Sequence, residues 1–261
     1  MMKKSSIGGT TRVAREAFQK AKEMMRESGY PIGDNVRVVV DPNLGFMGYT
    51  FPRAGMFTIV VSGAALESGM IEGLLIHEMG HVYRMQTSHP SHNDKAISYA
   101  MSLFDDRDLG QDYQDKFLHD AVNHLEDLYA DDVSFKVFRQ NNLFPPDTAS
   151  QFFQGWVTPT PKVSGDARKD RWVNVSLMLR NSFALSNMAR HGIPDIGNRA
   201  REASERFLSG LAPGTAKMFA YFYGVMMSLR EEVTMEEFKN ILRDYLDRFV
   251  RLAEGELEGT A

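Results

Sequence analysis

The stretch Leu74-Leu75-Ile76-His77-Glu78-Met79-Gly80-His81 lies inside an apolar run from Met70 to Met85 whose spacing predicts a helix, with Ser68 as its N-cap. Two histidines four residues apart on a helix leave one face about 5–6 Å apart at Cβ, so both imidazoles can reach one ion. The glutamate between them is placed to bind the water of that ion. Zinc lowers the pKa of such a water to about 7, and a neighbouring carboxylate can take the proton and pass it to a leaving amine. The chemistry is amide hydrolysis without a covalent intermediate. Composition alone predicts about 0.01 occurrences of His-Glu-x-x-His in this chain. The flanking Met70, Ile71, Leu74, Leu75, Ile76, Met79, Val82, Tyr83 and Met85 leave no polar face, which marks a helix buried nearly all round. Burying a glutamate and two histidines there without partners is costly, and a metal with its water satisfies all three. A metal-free buried ion-pair network is the competing reading.

The chain has 261 residues, enough for one large domain or for a catalytic core with a packed appendage. Its formal net charge of -4, with no Lys/Arg cluster, argues against nucleic acid as a partner. There are no cysteines, so any metal must sit on His, Asp or Glu. The N-terminal run Met1 to Gly9 lacks the apolar core of a signal peptide, and a cytoplasmic location is expected. Met218 to Leu229 is about half the length of a bilayer span and reads as a buried helix, so no membrane span is expected.

Outward from the motif, Thr11 to Ser28 predicts an amphipathic opening helix. Val36 to Val40, Gly48 to Phe51 and Phe57 to Val61 predict a small sheet, with Pro52-Arg53-Ala54-Gly55 as a hairpin turn. Ser88 to Asp94 reads as a loop, and a second loop holds Asp105, Asp106, Asp108 and Gly110. A strong helix follows over about Gln114 to Phe138, ended by the prolines of Asn141 to Asp147. Beyond Pro161 the periodicity is helical throughout: Arg171 to Arg190, Ile196 to Leu208, Ala216 to Arg230 and Met235 to Leu252. The last opens with a capping box at Thr234. The expected class is α+β, mostly α. A core over residues 1–143 is followed by a helical subdomain over 144–261, with oligomeric state open.

The strand Thr58-Ile59-Val60-Val61-Ser62 followed by Leu74 to His81 resembles the zincin metallopeptidases of the gluzincin type. Their members include thermolysin, the prenyl-protein and HtpX-like membrane proteases, and soluble minigluzincins. The likeness covers roughly Val36 to Val133. It implies a zincin-like catalytic core, one zinc ion per chain, and a peptide or protein substrate that adds in extended form to that strand as a sheet edge. Metzincins fit worse, because the Gly and His they require fall on Arg84 and Thr87.

Gluzincins draw a third ligand from a later helix as Glu, with Ala-Asp following. Matching Ala130-Asp131 to that pair puts Asp127 at the ligand position, a departure because Asp is one methylene shorter. Either the helix lies closer, or Glu126 reaches in instead. Asp120, His124, Asp127 and Asp131 form one helical stripe, opposite Leu118, Val122, Leu125 and Tyr129. A solvated acidic face is the plain reading of that stripe. In the functional reading Asp131 accepts from the free ring N–H of His77 or His81. His124 then helps hold substrate or oxyanion, as do the candidates Arg190, His191, Tyr221 and Tyr223. His89 and His92, in a Pro-containing loop, read as surface histidines. Two further readings compete with a peptidase: a zincin-fold binding protein with structural metal, and a zinc hydrolase of a non-peptide amide.

Overall fold

The computed structural model describes residues 5–104 and 112–257. The loop around Asp105, Asp106, Asp108 and Gly110 and the residues Met1 to Lys4 lie outside the described residues. The fold is α+β and mostly helical. Its elements are α1 (Ser5–Glu27), β1 (Val36–Asp41), β2 (Gly48–Arg53), β3 (Met56–Ser62), α2 (Gly63–Glu67), α3 (Ile71–Gln86), α4 (Asp94–Ser102), α5 (Asp112–Asn141), α6 (Pro146–Trp156), α7 (Ala167–Arg190), α8 (Arg199–Ser209), α9 (Pro213–Ser228) and α10 (Met235–Ala253). No helix among the described residues is long and apolar enough to cross a membrane.

Two compact units divide the chain. One runs to His92 and takes in Tyr129–Phe144; the other comprises Asn93–Leu128 and Pro145–Ala261. Residues 93–128 group with the C-terminal helices, and residues 129–144 with the N-terminal unit. The reason is α5, one continuous helix whose first part belongs to one unit and whose last part belongs to the other.

In the first unit the strand order is β1-β3-β2, with β1 parallel and β2 antiparallel to β3. The β-branched run of β3 is buried from Thr58 to Ser62, as a strand covered on both faces requires. This overturns the expectation that Thr58 to Ser62 is a sheet edge. Both ladder sides of β3 are taken, and the edges are β1 and β2. Ala54 and Gly55, with φ of 51° and 77°, form the tight turn of the β2–β3 hairpin, where the left-handed backbone matches the strand twist. Helix α1 packs on α3 and β1. Leu75, Ile76, Met79 and Val82 of α3 are fully buried, each contributing about 1.5–3 kcal/mol through lost apolar exposure. Ser68 is not the N-cap of α3. Its hydroxyl closes α2 on Ala65 O and accepts from Met70 N, and α3 begins after Met70 without a side-chain cap.

Among the described residues the second unit holds helices and no strand, with α7 packed against α6, α8, α9 and α10, and α4 on α10. Trp172, Phe207, Phe222, Phe238, Tyr245 and Phe249 are its buried aromatic core. The capping box forms as expected, with Thr234 and Glu237 each bonded to the other's backbone N–H. Sequence periodicity does not predict helices α2, α4 and α6. The prolines at 145 and 146 end one helix and also begin the next, because a proline in the first turn lacks only an N–H that would have no partner there.

Candidate metal centre

His77 and His81 sit one turn apart on α3, and their Nε2 atoms converge to 3.2 Å. Two nitrogens bound at about 2.0–2.1 Å to one tetrahedral zinc stand about 3.3 Å apart. The other ring nitrogens are engaged. His77 Nδ1 lies 2.8 Å from Asp131 Oδ1 and donates to it, since a carboxylate only accepts. His81 Nδ1 lies 2.7 Å from His92 Nε2. In the tautomers with both Nδ1 atoms protonated, both Nε2 lone pairs point toward the space between the rings, where a cation would bind them.

Among the described residues His77, His81 and Asp127 form a group whose potential ligand atoms all lie within 4.8 Å of one another. The position of Asp127 follows from α5 alone: Asp131 is held at His77, and Asp127 lies one turn earlier on the same helix face. Glu126, the alternative, is not in that group. Near this group α3 and the last part of α5 touch at backbone level. A Cβ built on Gly80 would stand 2.8 Å from Ala130 O and 3.3 Å from Ala130 Cα, so only glycine permits this approach. Gly80 is one of the two variable positions of the motif, and its packing role is invisible in the sequence.

Glu78 is 4% exposed and faces the sheet. The Thr50 hydroxyl, on edge strand β2, donates to Glu78 Oε2 at 2.7 Å. Gly48, two residues earlier, leaves room beside Oε1, which lies 3.6 Å from where its Cβ would sit. Tyr49, on the other face of β2, stacks with Phe51 at 5.8 Å and lies 5.7 Å from Phe46.

His92 is no surface histidine. Helix α3 ends in a Schellman turn: Ser88 has φ of 54°, Ser88 N donates to Met85 O and His89 N to Arg84 O. The chain folds back, and the short 3-10 turn Pro90–His92 brings His92 against His81. Burial, then the proximity of His81, His89, Arg84 and His77, hold the His92 pKa well below the ordinary histidine range. His89 packs on the Tyr129 ring at 4.6 Å, over which the buried Arg84 also lies while donating to Tyr129 O. A loop reading from prolines and polar residues carries no signal for these contacts.

The remaining sequence candidates have other neighbours. His124 is buried and stacked on Phe183 at 5.1 Å, and burial lowers its pKa to about 4. Arg190 Nη1 donates to Met226 O and Leu229 O at the end of α9. His191 caps α7, Tyr221 lies under the Arg248 guanidinium, and Tyr223 stacks on Phe219.

A family model described as "Family of unknown function (DUF5781)" matches residues 7–250. The chain belongs to DUF5781. No curated protein and no solved structure matches it. In this DUF5781 chain the donor set fits a zinc ion. It offers two imidazoles whose Nε2 atoms converge and whose Nδ1 atoms are held by neighbouring side chains, and one carboxylate, a nitrogen–oxygen set common at catalytic zinc. It fits calcium or magnesium poorly, since those ions take mostly oxygen ligands.

Proposed function

We propose that this DUF5781 member is a zinc-dependent hydrolase of peptide bonds, a zincin-like enzyme of the gluzincin type, with His77, His81 and Asp127 as protein ligands and Glu78 as general base. The observation that carries the reading is the convergence of the two Nε2 atoms at 3.2 Å, with the buried Glu78 on the same helix between them. Zinc held there supplies an acidified water and a Lewis acid for the carbonyl oxygen. With such a water bound, Glu78 would accept its proton and return it to the leaving amine. Thr50 ties down Oε2, which limits the carboxylate to small rotations and keeps it near the attacking water. A donor set of three residues would leave zinc a position for water, as catalytic zinc sites keep and structural ones fill.

The substrate in this proposal is an extended peptide added to β2, not to β3. Strand β2 has a neighbour on one side only and carries the hydroxyl that holds Glu78. Exposed Phe46, Met47 and Tyr49 beside that edge favour bulky apolar side chains on the peptide. The test is zinc analysis of purified protein together with hydrolysis of unfolded protein and of peptide libraries. Chelator should abolish hydrolysis and zinc should restore it. Glu78→Gln should keep zinc and lower the rate at least about a hundredfold. Full activity in Glu78→Gln, or a protein that takes up no zinc on reconstitution, refutes the proposal. Hydrolysis confined to non-peptide amides reassigns the substrate and leaves the metal chemistry in place.

A further inference from the structure

We infer that His92 is a positioning residue for His81, accepting its Nδ1 proton through a one-way chain of hydrogen bonds that starts at the backbone of Ser91. The inference rests on the zinc reading of His77, His81 and Asp127.

The direction of the chain is set from its far end. Ser91 N donates to His89 Nδ1 at 3.2 Å, so that nitrogen carries no proton. Ser91 Oγ lies 2.8 Å from the same nitrogen, so the hydroxyl donates to it as well. Its lone pairs are then free, and His92 Nδ1, 2.7 Å away, donates to Ser91 Oγ. A neutral His92 protonated on Nδ1 leaves Nε2 as an acceptor. The only proton for the 2.7 Å contact with His81 Nδ1 is the one on His81 itself. His81 is thereby held as the tautomer whose Nε2 lone pair points at His77 Nε2 and at the metal position.

The two ligand histidines therefore have partners of different charge. His77 donates to a carboxylate, Asp131, and His81 to a neutral imidazole. A carboxylate partner raises the basicity of the ring it holds, whereas a neutral acceptor fixes orientation with little added charge. Ser91 is wholly buried, and the Schellman turn after α3 places the group, so the arrangement is built into the backbone.

The experiment is zinc affinity by competition with a chromophoric chelator, together with imidazole 15N spectra of the metal-free protein. His92→Ala should raise the zinc Kd about 10- to 100-fold. His92→Gln, whose carbonyl oxygen can stand where Nε2 stands, should recover most of that loss. Ser91→Ala, which frees the His92 tautomer, should fall between Ala and wild type. In the wild-type spectrum His81 should carry its proton on Nδ1 and His92 on its own Nδ1, a result that requires no variant to fold. A spectrum with His92 protonated on Nε2 overturns the inference. So does unchanged zinc affinity in His92→Ala, or equal losses in His92→Ala and His92→Gln. If the wild-type protein binds no zinc, the metal reading itself fails and takes this inference with it.

Discussion

Replacing Gly80 by alanine tests how the helices α3 and α5 are brought together. The added methyl would lie 2.8 Å from Ala130 O and 3.3 Å from Ala130 Cα and Cβ. Nonbonded carbon contacts are most favourable from about 3.5 Å outward, so α5 must retreat by roughly half an ångström or more. Overpacking of a buried helix contact costs about 1–3 kcal/mol of stability. The retreat also draws Asp127 away from His77 and His81, because α5 moves as one rigid helix. A loss of about 1.4–2.8 kcal/mol in metal binding corresponds to a 10- to 100-fold weaker zinc Kd. Chemical unfolding of the metal-free protein measures the first effect, and zinc competition measures the second. Asp127→Glu supplies the missing reach, so alone it should weaken zinc by crowding the site, and combined with Gly80→Ala it should restore binding. The double-mutant cycle must show coupling, since both changes act on one distance. Additive zinc affinities in the cycle, or a Gly80→Ala protein with unchanged stability and affinity, refute the argument.

Three further outcomes are expected. Zinc at 100 times its Kd should stabilise the wild-type protein by about 2.7 kcal/mol, and His77→Ala or His81→Ala should show little of the rise in melting temperature on zinc addition; an equal rise in either variant counts against that ligand. Asp127→Ala should strip zinc under mild chelation, Asp131→Asn should weaken binding about 10- to 100-fold, and Glu126→Ala should leave zinc bound; loss of metal in Glu126→Ala with retention in Asp127→Ala would shift the ligand by one residue. The third concerns His124, whose pKa is lowered from 6.5 to about 4 by burial. Between these values the unfolded chain binds a proton that the folded chain does not, so stability falls as pH drops from about 6.5 to about 4 and the penalty saturates below. The window spans about 3 kcal/mol, and His124→Phe should flatten that part of a denaturant-midpoint profile; an unchanged slope would show that His124 is not responsible.

His77, Glu78 and His81 are legible in the sequence because a helix enforces its own spacing: four residues return to the same face wherever the helix is placed. The buried character of α3 is legible for the same reason, as are the three strands, the hairpin and the capping box at Thr234, all set by contacts within a few residues. The spacing of Asp127 and Asp131 is likewise a property of one helix, whereas the burial of Asp131 against His77 is not.

Only the tertiary structure decides what lies across from each of these groups. Strand order puts β3 in the centre and β2 at the edge, because β3 returns between β1 and β2, and the composition of β3 alone does not fix that. His92 reads as a loop histidine until the Schellman turn at Ser88 folds it onto His81. Thr50 is unremarkable in sequence until β2 sets it beside Glu78, 28 residues away. Gly80 is one of the motif's two variable positions until Ala130 of another helix stands where its Cβ would be. In each case the deciding contact joins separate elements, and periodicity within one element holds no record of its neighbour. A helix determines its own faces from local backbone geometry, but the identity of the group facing it is settled by packing.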